Sequence, residues 1–270
     1  MEDLGAKMEV GIQLRAELAP VDWLRTRAAT KRRVKECQRC ELFEFCEGPV
    51  PMRGPVDGVT AEVLVLGEAP GKQEDEQGLP FVGPAGKLMS ALLTEVGFDL
   101  DRVAWANVIS CLPNRTPPTP MVKEMKACRV NLRDQVVASG ATYIVLAGSV
   151  ATQSWRGDLK VSDVHGQVFL WGGTWVVMPV WHPAAALRDV LKKAPLKRDL
   201  RWFREVVTND YGLRALGMNC VKCHHAVNHY DPDGVPYCRT HWQRYGNQWK
   251  KEWRQWDNDK ARPPALTFEV

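Results

Sequence analysis

The chain of 270 residues contains no apolar stretch approaching the roughly 18 residues that a membrane-crossing helix needs. It has little charge imbalance: 36 Lys and Arg against 32 Asp and Glu leave a net charge of +4. A polyanion-binding tail is therefore absent from the bulk composition, and any nucleic-acid contact has to come from a local patch. The first 30 residues carry Glu2, Asp3, Glu9 and Glu17 and lack an apolar core, which argues against an ordinary secretory leader there. Internal repeats are absent too. Two residue types are plentiful, with eight cysteines and eleven tryptophans. In an intracellular (cytoplasmic) chain, which these absences lead one to expect, cysteines serve metal ligation more often than a disulfide framework. Apolar residues at 45% and charged residues at 25% are ordinary globular fractions, sufficient for one or two domains with a real core.

Residues 1–36 read as a charged helical segment that ends in Lys31, Arg32, Arg33 and Lys35, either a solvated helix end or a DNA contact. Gly48 to Gly58 is rich in Pro and Gly and reads as loop. From Glu62 onward, short β-branched runs alternate with stretches of helical period. Strands are expected at 62–66, 103–109, 143–147 and 175–180, and helices at 84–98, 121–138 and 196–207. Such alternation implies crossovers and a parallel sheet covered on both faces, with ligands bound beyond the carboxyl ends of the strands. The turns at those ends are 67–71, 107–115, 148–149 and 182–183. After Asp210 the composition shifts, and residues 220–241 hold three cysteines and four histidines. The expected domains are therefore 1–36, 37–210 and 211–270.

Three constellations fall at the strand ends. Gly67-Glu-Ala-Pro-Gly71 with Glu74 and Asp75, then Gly78 to Lys87, is rich in positions where backbone amides approach a ligand closely. It fits neither a Walker loop nor a dinucleotide fingerprint, and reads as an anion or planar-ligand site or as a tight loop. Asn107 can present one donor and one acceptor to a flat heterocycle, or cap a turn. His182, before Pro183, can donate to an oxygen that gains negative charge, or be purely structural.

Taken together, these segments resemble the family 4 uracil-DNA glycosylases. The resemblance rests on Gly67–Gly71 with Glu74-Asp75, Pro80-Phe-Val-Gly-Pro-Ala-Gly-Lys87, Asn107-Val-Ile-Ser-Cys111 with Asn114-Arg115, and His182-Pro-Ala184 with Leu187-Arg188. The spacing of Cys37, Cys40, Cys111 and Cys128 belongs to it as well, and it covers residues 37–207. It implies a three-layer α/β/α sandwich around a four-stranded parallel sheet. It also implies a chain that removes uracil from DNA by cleaving the N-glycosidic bond. By residue, it implies Phe81 as stacking platform, Asn107 as the reader of the uracil edge and His182 as the donor to the departing base. Glu74 would crowd the site of a 5-methyl group, and Gly67 and Ala69 would line the pocket. Leu187 and Arg188 would enter the gap left by the flipped base. Glu68 is the carboxylate expected nearest the attacking water, because Ala69 stands where other uracil-DNA glycosylases carry an Asp. That Ala69, with a short Leu112–Arg115 segment, also motivates two rivals: a DNA-binding module with little turnover, and a glycosylase for another deaminated base.

Four thiolates can hold a [4Fe–4S] cluster or zinc, and the resemblance favours iron–sulfur on Cys37, Cys40, Cys111 and Cys128. Cys46 is left over and reads as a small buried hydrophobe. Beyond the resemblance lies a second metal pattern. Cys220-Val-Lys-Cys223 and Cys238-Arg-Thr-His241 are two knuckles of zinc-site spacing, with Asp231–Gly234 as a turn between short strands. Behind them, Trp242, Tyr245, Trp249, Trp253 and Trp256 recur at helical spacing among Arg244, Lys250, Lys251 and Arg254. That stripe is either a core face packed on the zinc module or a DNA-binding surface. The expected substrate is uracil-containing DNA, and the expected assembly is a monomer.

Overall fold

A computed structural model of the chain describes residues 23–55, 60–157, 159–171 and 175–208, together with two short strands near the carboxyl terminus. The central sheet contains β1 (Val63–Gly67), β2 (Val103–Asn107), β3 (Tyr143–Ala147), β4 (Phe169–Trp171) and β5 (Trp175–Val180), in the order β2-β1-β3-β5-β4. The strands β2, β1, β3 and β5 are parallel, and β4 runs antiparallel at the edge of β5. Four parallel strands match the sequence expectation. The sequence pattern does not reveal β4, because three residues are too few to establish a period.

The strands are apolar on both faces, as a sheet sandwiched between helices requires. Their alternation sorts side chains into two cores. Leu64, Leu66, Ala104, Ala106, Ile144 and Leu146 face one layer, while Val63, Val65, Val103, Trp105, Val145 and Ala147 face the other. The first layer is built by α4 (Val122–Ser139), α5 (Ser149–Trp155) and α6 (Val161–Val164), through Leu132, Val136, Ala151, Trp155 and Val164. The second is built by α3 (Pro84–Glu95), α7 (Pro183–Arg188) and α8 (Lys193–Thr208), through Met89, Leu93, Ala186, Leu200 and Phe203. Helix α1 (Trp23–Lys35) lies outside α4, with Arg33 paired to Asp134 at 2.6 Å. Arg33 of the basic run is thus held by a carboxylate.

Local signals explain the helix ends. α3 begins with Pro at its first position, where a missing N–H costs nothing. Glu124 caps α4 by accepting the Met121 N–H at 2.8 Å, and Gly140 closes the helix at φ 69°. A short helix α2 (Lys72–Gln77) follows the first loop, in a stretch whose charge hides any period.

The strands His229–Tyr230 and Pro236–Tyr237 pair antiparallel, flanking the Asp231–Gly234 segment that reads as their turn. The zinc-spaced Cys220, Cys223, Cys238 and His241, and the Trp242–Trp256 stripe, lie outside the described residues. Among the described residues, no helix is long and apolar enough to cross a membrane.

Leu200 seals the second layer and is fully buried. Leu200→Ala is expected to cost about 2–5 kcal/mol in urea unfolding. A cost well below about 1 kcal/mol would show that α8 is not a wall of that core.

Candidate active site

The parallel strands end on one edge, and the loops there enclose a pocket of about 470 Å³. Its walls are Glu68–Gly71 and Glu74 after β1, Phe81, Ala85 and Gly86 at the start of α3, and Asn107 at the end of β2. Gly148-Ser149 after β3, and Trp181, His182 and Arg188 after β5, complete the inner face. The crevice spans the point where the chain reverses direction across the sheet, with β2 on one side of β1 and β3 on the other.

The centre of the site is a gap at Gly67. This residue stands opposite Asn107 in the parallel register. A Cβ on Gly67 would lie 2.4 Å from Asn107 Oδ1 and 2.7 Å from Phe81 Cζ. The carboxamide and the ring therefore converge over bare backbone. Phe81 is the one described non-glycine residue with positive φ, at 59°. Holding a residue there costs on the order of 1–3 kcal/mol, so the surroundings have to enforce it. Two contacts do so. The Phe81 ring packs on Trp105, with centroids 5.1 Å apart, and Arg53 covers Trp105 from 5.2 Å. Behind the Phe81 backbone, Gly86 leaves a space that a Cβ would fill at 2.0 Å from the Phe81 carbonyl oxygen.

Glu74 ties the two loops together. Its Oε1 accepts the Gly83 N–H at 2.7 Å and its Oε2 accepts the Gly71 N–H at 3.1 Å. This fixes a carboxylate in the pocket wall. Glu68 is half-buried, and desolvation pushes its carboxyl above the ordinary range, opposed by the charge of Arg188. Ala69 also faces the pocket, so the wall carries no carboxylate at that position.

His182 caps α7. Its Nδ1 accepts the Ala184 N–H at 3.1 Å, so Nδ1 is unprotonated and the proton of the neutral ring sits on Nε2. Burial lowers its pKa to about 4, and the Arg188 charge acts in the same direction. The site therefore holds a neutral imidazole that donates from Nε2 at neutral pH. Gly148, at φ 92°, packs against it, and a Cβ there would fall 2.8 Å from His182 Cβ. Trp181 beside it is sandwiched between His165, at 5.2 Å between centroids, and Lys192, at 5.0 Å. His165 in turn holds buried Asp199 through Nδ1 at 2.6 Å.

Leu187 is 53% exposed on the rim beside Arg188, and Val190 and Leu191 extend that apolar edge at 76% and 79% exposure. The sequence pattern singles out Leu187 and Arg188 and passes over Val190 and Leu191, which sit in a short lysine-flanked turn without a period. The opposite rim, Pro117–Thr119, is missed as well. It is held by Arg115, which donates to the Thr119 carbonyl at 2.9 Å and forms a two-pronged pair with buried Glu124. The loop is short, yet it still forms a wall. Its only sequence signal is Asn114-Arg115 followed nine residues later by Glu124.

The cysteines gather below the Asn107 loop. Cys128 interacts with Cys37 and Cys40, and Cys111 with Cys40, Cys46 and Cys128. Cys111 and Cys128 are buried, which pushes both thiols up, Cys128 to about 11. Asn131 Nδ2 donates to Cys37 Sγ at 3.1 Å, and the Ser110 N–H donates to Cys128 Sγ at 3.4 Å. Among the described residues, no three His, Cys, Asp or Glu side chains converge tightly enough to hold a single metal ion.

The family model of the Uracil DNA glycosylase superfamily matches residues 55–204. The type-4 uracil-DNA glycosylase of Sulfurisphaera tokodaii is 34% identical over 187 residues, which cover 65% of this chain and 82% of that protein. Those of Archaeoglobus fulgidus and Thermotoga maritima are each 36% identical, over 165 and 160 residues. These matches cover 58% of this chain in both cases, and 80% and 81% of the relatives.

Removing the Arg188 charge is expected to raise the His182 midpoint from about 4 toward its ordinary value of about 6.5. Proton NMR titration of Arg188→Ala measures it, and a midpoint that stays or falls contradicts the assignment. The same linkage has a stability consequence. The unfolded chain takes up the proton first, so His182 makes the fold lose stability as pH drops from about 6.5 toward 4.

Proposed function

Because the chain belongs to the uracil-DNA glycosylase superfamily, we propose that its pocket receives a deoxyuridine flipped out of DNA and hydrolyses the bond between base and sugar. The activity is that of a uracil-DNA glycosylase, a DNA-repair hydrolase of N-glycosidic bonds. A base inside a duplex is out of reach, so extrusion comes first. Leu187 and Arg188 on the rim occupy the vacated space, and Val190 and Leu191 broaden that apolar edge.

Within the pocket the flipped pyrimidine lies against Phe81. The Asn107 carboxamide pairs with its edge, matching one donor and one acceptor. Glu74, pinned by two backbone amides, stands where a 5-methyl group would intrude and so disfavours thymine. As the C1′–N1 bond breaks, its electron pair moves onto the uracil ring and charge accumulates on a carbonyl oxygen. The His182 Nε2–H donates to that oxygen, a preorganised stabilisation that strengthens in a dry site. Glu68 faces the cationic sugar and orients the attacking water. The water oxygen bonds C1′, one water proton is released, and uracil and an abasic sugar remain. The observation that carries this reading is the fixed tautomer of His182, a neutral donor in the same pocket as Phe81 and Asn107.

Two metal centres belong to the same proposal. The thiols of Cys37, Cys40, Cys111 and Cys128 share one neighbourhood but do not converge on a point, which suits a multi-iron cluster better than one ion. A set of soft thiolates fits iron–sulfur chemistry. Held there, a [4Fe–4S] cluster would tie the Cys37–Cys40 segment to the segment that begins at Asn107. Cys220, Cys223, Cys238 and His241 are proposed as zinc ligands of a separate module over 211–270, on spacing alone, with 37–210 as the catalytic domain. The pocket is complete within one chain, which fits a monomer, and a DNA substrate fits an intracellular setting.

Ala69 favours a rival: a chain that binds uracil-containing DNA without turnover. Incubation with uracil-containing single- and double-stranded DNA, followed by alkali, distinguishes the two. Strand breaks at uracil are expected, and tight binding without breaks would establish the rival. Parallel substrates with hypoxanthine and mismatched thymine test the choice of base. Asn107→Ala and His182→Ala are expected to lose about a hundredfold or more in single-turnover rate with folding intact. Full activity in the His182 variant would overturn the site assignment. Iron and zinc analysis with a visible spectrum tests both metal assignments in one preparation.

A further inference from the structure

One thiol in the cysteine neighbourhood has no place in the four-ligand set. Cys46 is half-buried and unoxidised. The segment that carries it runs antiparallel past the end of β2. Arg53 and Trp105 exchange both backbone hydrogen bonds, at 2.9 and 2.8 Å, and the Val50 N–H donates to the Ser110 carbonyl at 2.6 Å. Continuing that register brings Cys46 against Cys111, and the two side chains hydrogen-bond. Cys46 also packs on the core that contains Cys111 and Cys128, as Cys40 does. Five thiols therefore share a place where a cluster needs four.

Asp75 supplies a second, independent observation. It is 8% exposed, and its Oδ2 accepts the Glu47 N–H at 3.1 Å, which anchors the residue next to Cys46. Its Oδ1 is buried without a hydrogen-bond partner among the described residues, and the carboxylate lies close enough to Cys46 to act on it electrostatically. An acceptor left in this way next to a thiol is costly unless something charged or protonated comes to it.

We propose that Cys46 is a reserve ligand of the iron–sulfur site, able to take the coordination position of Cys111. This rests on the cluster reading above. The exchange balances without an oxidant or reductant. The Cys46 sulfur bonds iron and gives up its proton, while the Cys111 sulfur leaves iron and takes a proton. Their direct contact provides the path, and the free Asp75 oxygen is a way station for that proton. The consequence falls on the pocket. Cys111 ends the segment that begins at Asn107, so the exchange frees that segment while the cluster stays in place.

The test uses the full chain as wild type, Cys46→Ser, Cys111→Ala and the double variant. Each is reconstituted anaerobically with ferrous iron and sulfide, and read by iron per chain and visible absorption. Wild type and both single variants are expected to hold about four iron atoms per chain, and the double variant almost none. A Cys111→Ala protein as empty as the double variant overturns the proposal while leaving the cluster reading intact. A wild type without iron overturns both, and is distinguishable by that result alone. If Cys111→Ala does not fold, a chelator challenge decides. Cys46→Ser is expected to release iron severalfold faster than wild type, and equal rates overturn the reserve role.

Discussion

Gly67 stands at the carboxyl end of β1, opposite Asn107, and the Phe81 ring closes over both. The rest of the site follows from keeping that spot bare. The ring reaches it only because Phe81 adopts a positive φ, and that backbone fits only because Gly86 offers no Cβ behind it. The pocket floor is thus assembled by subtraction. Two glycines admit one aromatic ring and one carboxamide, and a third, Gly148, admits the His182 ring on the opposite side. The sheet supplies the rigid frame, since parallel strands buried on both faces hold these loop origins in register.

Electrostatics then turn the frame into chemistry. The same burial acts oppositely on the two titratable groups: it raises Glu68 and lowers His182. Arg188 opposes the first shift and reinforces the second. One exposed cation on the rim therefore favours an ionised Glu68 and a neutral His182 together. That pairing suits a reaction in which the sugar becomes positive and the departing base negative. The Ala184 amide completes the arrangement by fixing which ring nitrogen carries the proton.

Much of this was legible in the residues. The buried runs at 63–67, 103–107, 143–147 and 175–180 showed themselves by β-branched composition, and the turns that follow them hold the pocket. Phe81, Asn107 and His182 were reachable because they lie in dense local motifs. Other parts were hidden for physical reasons. β4 is three residues long and owes its place to pairing with β5. Trp105 as the support of Phe81, and Arg115 as the clamp of Pro117–Thr119, act through contacts between segments remote in sequence. No periodicity marks such contacts. The Nε2–H tautomer of His182 depends on a single backbone amide and has no sequence signature at all.

The central claim is that bare backbone at Gly67 positions Asn107 and Phe81 for uracil. It is tested most directly by single-turnover uracil excision with Gly67→Ala, beside its thermal unfolding. The added Cβ meets side chains, not backbone. The protein is therefore expected to unfold as a cooperative unit like wild type, while excision slows by about a hundredfold or more. A folded Gly67→Ala protein that excises uracil at the wild-type rate would contradict the account.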